Sequence, residues 1–108
     1  MIVAGAVIAA VLSGSAKADG YFDTGNDLRS LCRKPDAFSR GACVATVSGA
    51  VDMKAALGYK CATAEGATRE QYRDVVTKYL AEHPEKRNAA AVFNILLATQ
   101  EAFGCRPP

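Results

Sequence analysis

Four cysteines, Cys32, Cys43, Cys61 and Cys105, constrain this 108-residue chain more than any other feature. A chain of this length makes one domain, and a domain so small gains much from cross-links. An even cysteine count in a short exported chain reads as a disulfide framework. The competing reading is a four-thiolate zinc site. Zinc ligands normally arrive in close pairs such as C-x-x-C, whereas the spacings here are 11, 18 and 44 residues. The expectation is therefore two disulfides, no metal and no cofactor.

Disulfides require an oxidising compartment, and the start of the chain supplies a route to one. Ile2 to Leu12 reads IVAGAVIAAVL, without charge or proline, and Ala16-Lys17-Ala18 follows closely. Such a run has the length of a signal-peptide core and falls short of the ~20 residues of a membrane-spanning helix. Alanines at positions 16 and 18 suit signal peptidase. We expect a signal peptide over residues 1–18, a mature domain over 19–108, a periplasmic location and no membrane segment after cleavage. Removing Lys17 from the 13 Lys and Arg leaves 12 against 11 Asp and Glu, so the mature chain is almost neutral. It has no basic block and no aromatics interleaved with basic residues, which argues against a nucleic-acid partner.

Periodicity divides the mature chain into four helices. Thr24, three residues before Asp27, makes a loose capping box for a first helix with Leu28, Leu31 and Cys32 on one face. Arg33-Lys34-Pro35 ends it. The adjacent aromatics Tyr21 and Phe22 are expected to dock on the helices. A second helix, capped by Ser39 and running to Leu57, shows an apolar face of Cys43, Val47, Ala50, Val51 and Leu57, widened by Val44 and Ala55. Gly49 interrupts it, at a cost of about 1 kcal/mol against alanine, and is expected where another helix comes close. Gly58 is placed as a left-handed cap. Thr68 and Gln71 form a clear capping box for a third helix with Tyr72, Val75, Val76, Tyr79 and Leu80 at helical spacing, closed by His83-Pro84. Asn88 is placed as the cap of a fourth, largely apolar helix that ends at Phe103-Gly104. No segment alternates at period two, so no strand is expected.

Short loops favour an up-and-down order, which sets the end of the first helix beside the start of the second, and the end of the second beside the end of the fourth. Cys43 and Cys61 cannot pair readily, because the helix between them spans over ~20 Å against a Cα separation below ~7 Å in a disulfide. The expected pairs are Cys32–Cys43 and Cys61–Cys105. Cys32–Cys61 with Cys43–Cys105 is the alternative if the first helix packs crosswise. The fold class is all-α, a compact four-helix bundle braced by two disulfides.

Few residues suggest catalysis. The lone histidine, His83, ends a helix, where it more often complements the helix dipole than acts as a base. No serine sits in G-x-S-x-G or S-x-x-K, and no glycine-rich loop resembles a phosphate cradle. The chain reads as a non-enzyme.

Several of these residues also form an ordered pattern. It runs through Phe22-x-Thr24-Gly25-Asn26-Asp27-Leu28, Cys32, Cys43, Gly49, Asp52 and Cys61. It continues through Thr68-x-x-Gln71, Val75-Val76-x-x-Tyr79-Leu80-x-x-His83-Pro84-Glu85 and Ala102-Phe103-x-Cys105. The set resembles the Rap/Tai family of immunity proteins. That resemblance implies a periplasmic protein, commonly a homodimer, that inhibits a type VI secretion effector by covering its active-site cleft. The effector class implied is a peptidoglycan amidase of the papain-like kind. The exposed contact candidates are the Gly58–Ala67 loop and the His83–Asn88 turn with nearby charges: Tyr59, Lys60, Glu65, Arg69, Arg73, His83, Lys86 and Arg87. Two other functions fit a small disulfide-bonded helical protein: a periplasmic chaperone of the acid-stress type, and an orphan relative with an unrelated partner.

Overall fold

Helix α1 (Gly25–Arg33) begins where Thr24 and Asp27 exchange bonds: the Thr24 hydroxyl accepts from the Asp27 amide at 3.2 Å, and the Asp27 carboxylate accepts from the Thr24 amide at 2.9 Å. Aspartate thus completes a capping box usually built with glutamate or glutamine. The computed structural model describes residues 20–108, so the expected signal peptide lies outside the described residues. Leu28 is the buried anchor of α1, while Phe22 stays in solvent at 78% exposure instead of docking.

Helix α2 (Ala37–Ala56) is capped by Asp36, not Ser39: the Asp36 carboxylate accepts from the Ser39 amide at 2.9 Å. Pro35 keeps its predecessor extended, and Asp36 is the first side chain beyond it able to accept, so the helix starts three residues early. Bonds from Ser39 hold the Asp36 carboxyl below its ordinary pKa. The buried stripe of α2 is Ser39, Cys43, Val47, Ala50 and Lys54. It turns away from Leu57, which is 61% exposed, so the expected apolar end of the face is replaced by a lysine. Gly58 (φ +95°) reverses the chain, its amide bonded to the Ala55 carbonyl and the Tyr59 amide to the Lys54 carbonyl. This is a Schellman closure, which satisfies carbonyls the helix leaves open.

A short two-stranded ladder, missed in the sequence, follows. Strand β1 (Lys60–Cys61) pairs antiparallel with β2 (Cys105–Arg106), with Cys61 opposite Cys105. Two residues are too few to display a period of two, and the pairing is imposed by the disulfide between them. Helix α3 (Arg69–Glu82) carries the full Thr68–Gln71 capping box and buries Val76, Tyr79 and Leu80.

Helix α4 (Ala91–Phe103) starts without a side-chain cap. Asn88 instead accepts from the Asn26 side chain at 3.1 Å, tying the turn to α1. The helix start is served from elsewhere: the Ala91 amide donates to the Asp23 carbonyl at 2.8 Å. Buried Asn94 donates to the carbonyls of Lys86 and Ala90 at 3.0 and 3.1 Å. A tertiary strand-like contact, Thr24 opposite Ala90, has replaced a local cap. Gly104, left-handed at φ +64°, ends α4.

Helices α3 and α4 lie antiparallel. Tyr72 packs on Phe103 (ring centroids 4.8 Å apart) at one end, while Asn94 holds the Lys86 carbonyl at the other. Leu28, Val47, Val76, Leu80 and Ile95 form the centre of the core. Both disulfides pair as expected, Cys32–Cys43 and Cys61–Cys105. The result is a four-helix bundle braced at two places.

Gly49 has open space around it, with no atom within 4 Å of the point where a Cβ would stand, so no helix approaches it. Gly25 is the packed glycine: a Cβ there would meet Asn94 Nδ2 at 2.7 Å and Arg87 Cα at 2.9 Å. In urea denaturation, Gly49→Ala is expected to stabilise by about 0.4–1 kcal/mol and Gly25→Ala to destabilise. A loss of stability in Gly49→Ala would overturn this packing.

Candidate functional site

The expected contact residues fall into two clusters at the two ends of α3. Tyr59, Lys60, Glu65, Arg69 and Arg73 belong to the ladder, the loop after it and the first turns of α3; His83, Lys86 and Arg87 follow its last turn. Fourteen residues of α3 at 1.5 Å each hold the clusters about 20 Å apart.

At the first end, Lys60 and Arg106 stand opposite each other on the ladder, both exposed, two like charges side by side. Tyr59 is half-buried, while Glu65 and Arg69 are exposed. Arg73 is engaged within its own helix, at 2.8 Å from Asp74 and 3.5 Å from Glu70.

At the second end the side chains mostly serve the backbone. Arg87 donates from Nε to the Leu80 carbonyl at 2.6 Å and from Nη2 to the Ala81 carbonyl at 3.2 Å, closing the C-terminus of α3 with a cation. His83 stacks on Tyr79 with ring centroids 4.0 Å apart, and its Nδ1 lies 3.0 Å from the Tyr79 carbonyl. A carbonyl can only accept, so Nδ1 carries the proton there. This histidine is a cap on its helix. Lys86, in the 3-10 turn Pro84–Lys86, is exposed.

Sequence reasoning missed the most unusual polar group. Lys54 is only 3% exposed. Its Nζ donates to Thr99 Oγ1 at 2.8 Å and lies 3.0 Å from Cys105 Sγ, a sulfur of the second disulfide. Thr99 Oγ1 in turn bonds the Ile95 carbonyl at 2.9 Å. Among the described residues no carboxylate pairs with Lys54, since the ion pairs all involve Arg73. Burial without a counter-ion pushes its pKa down. The signal was present in the sequence: 43, 47, 50 and 54 follow the 3.6-residue period, but a lysine is not ordinarily counted in an apolar face.

These features define a class: a small helical protein closed by disulfides, with the buried Lys54, Thr99 and Asn94 bonded to its own side chains, backbone and cross-link. All four cysteines are committed to disulfides, and among the described residues no group of three His, Cys, Asp or Glu is placed to hold a metal. The family model of the Rap1a immunity proteins matches residues 24–105, from the Thr24 cap to the last cysteine, and the chain belongs to that family. No curated protein matches it.

Lys54 also predicts a pH dependence. Its folded pKa lies below the unfolded value, so between the two the unfolded chain holds a proton that the folded one lacks, and stability rises with pH. Lys54→Met is therefore expected to be more stable than wild type at neutral pH, with the gap closing as pH rises toward the ordinary lysine value of 10.5. Urea midpoints of both proteins across that range check it; a variant weaker than wild type throughout would refute it.

Proposed function

We propose that this immunity protein is exported to the periplasm, where it binds a type VI secretion amidase and covers its active-site cleft. The single observation carrying the reading is the family match, which spans both disulfides and all four helices. The two disulfides support the compartment, because such bonds persist where the surroundings are oxidising. Among the described residues no helix is long and apolar enough to cross a membrane.

The physical logic is direct. An enzyme that cuts cell wall must be neutralised where the wall is, so its antagonist must survive outside the cytoplasm. An inhibitor binds tightly when little order is lost on docking, and a scaffold closed by two cross-links is ordered beforehand. The two α3 ends supply the contact groups: the loop with Tyr59, Lys60, Glu65, Arg69 and Arg73, and the turn with His83, Lys86 and Arg87. The protein acts as a binder, commonly paired as a homodimer in this family, and carries out no reaction of its own.

Mixing the purified mature protein with the amidase encoded beside its gene, and following peptidoglycan cleavage, tests the reading. Cleavage should fall in proportion to the protein added and stop near equivalence, with a stable complex on gel filtration. Undiminished cleavage without a complex would remove the inhibitor function.

A further inference from the structure

One groove gathers positive charge that the fold itself does not need. Arg29 and Arg33 stand one helical turn apart on α1, on the same face, and line a groove of about 250 Å³ against Thr77, Leu80 and Ala81 of α3. Arg87 bonds the carbonyls of the same Leu80 and Ala81, which brings a third guanidinium to its edge. No acidic side chain lines the groove, and none of the three arginines has an ion pair among the described residues. Arg29 registers the crowding: partial desolvation first, then the nearby charges of Arg87 and Arg33, lower its pKa. Arginine stays charged regardless, so the proximity is a standing repulsion.

Arg87 has a structural reason to be there, as the cation closing α3. The side chains of Arg29 and Arg33 make no bond among the described residues, and their like charges oppose one another. A partner bearing carboxylates would reverse that sign. The walls favour a segment of protein over a flat anionic surface, because the cations rim a concave strip floored by the exposed, apolar Ala81 over the buried Leu80. We propose that the α1–α3 groove is the docking site for an acidic segment of the partner protein, with Arg29 and Arg33 gripping carboxylates on either side of an apolar residue laid on Ala81. Guanidinium forks suit this task, since each binds a carboxylate through two parallel N–H bonds. The inference rests on the proposed binding function and adds to it a docking groove beside the turn that carries Arg87.

The test uses the mature protein and a short fluorescein-labelled peptide of glutamates around one leucine, at low salt. Wild type is expected to bind it, and R29Q/R33Q to bind at least ~10-fold more weakly, a change of about 1.4 kcal/mol. Ala81→Trp, which fills the groove and keeps every charge, should weaken binding as well. R40Q/K78Q removes the same number of charges from exposed positions of α2 and α3 outside the groove, and should bind like wild type. The urea midpoint of R29Q/R33Q should equal or exceed that of wild type, because a repulsion has been removed. No peptide binding, an equal loss in R40Q/K78Q, or binding of anionic phospholipid vesicles in place of the peptide would overturn the proposal. Inhibition of the amidase is then compared for wild type and R29Q/R33Q. If both inhibit alike, the groove is wrong and the inhibitor function stands. If wild type does not inhibit, that function fails, and the peptide result alone decides the groove.

Discussion

The stripe Cys43–Val47–Ala50–Lys54 along α2 is covered from end to end by the rest of the molecule. At one end Cys43 is bonded to α1; in the middle Val47 and Ala50 join the common core; at the other end Lys54 reaches Thr99 and Cys105. A disulfide at one extremity and the hydrogen bonds of Lys54 at the other fix both the position and the rotation of the helix about its axis. The buried ammonium costs stability in isolation, since a charge removed from water needs compensation. Here the compensation is a hydroxyl and a disulfide sulfur, a partial one that leaves its mark on the pKa.

The helices were legible because their starts are written locally. Thr24 with Asp27, and Thr68 with Gln71, close boxes that any chain would close, and the apolar spacing of Tyr72 to Leu80 admits one period. The disulfide pairing followed from helix length and the order of the helices, because a rigid rod between Cys43 and Cys61 keeps them apart. What sequence reasoning misread depends on distant partners. Asn88 looked like a cap and serves α1, while the true start of α4 is satisfied by Asp23, far away in sequence. Gly49 looked like a contact point and is open, whereas Gly25 is tightly packed. Neither fact is visible without knowing which segments meet.

The site was less legible than the fold, for a related reason. A charged residue in a loop gives the same sequence signal whether it faces a partner, caps a helix or stands in solvent. Arg87 and His83 proved to be caps, Arg73 is paired within its helix, and Lys60, Lys86 and Arg69 remain exposed. Arg29 and Arg33 carry no distinguishing signal, because a basic residue near a helix C-terminus needs no further explanation. Their meeting with Arg87 is a property of the packing of α1 on α3.

The cysteines join first to second and third to fourth, so the two covalent rings follow one another along the chain and neither encloses the other's ends. In a polypeptide emerging from its N-terminus, Cys43 is the next thiol to appear after Cys32, and Cys105 the next after Cys61. Oxidation in order of arrival therefore yields the correct isomer directly, and no step requires a wrong bond to be opened. For an immunity protein, maturation without reshuffling shortens the interval between synthesis and the finished fold.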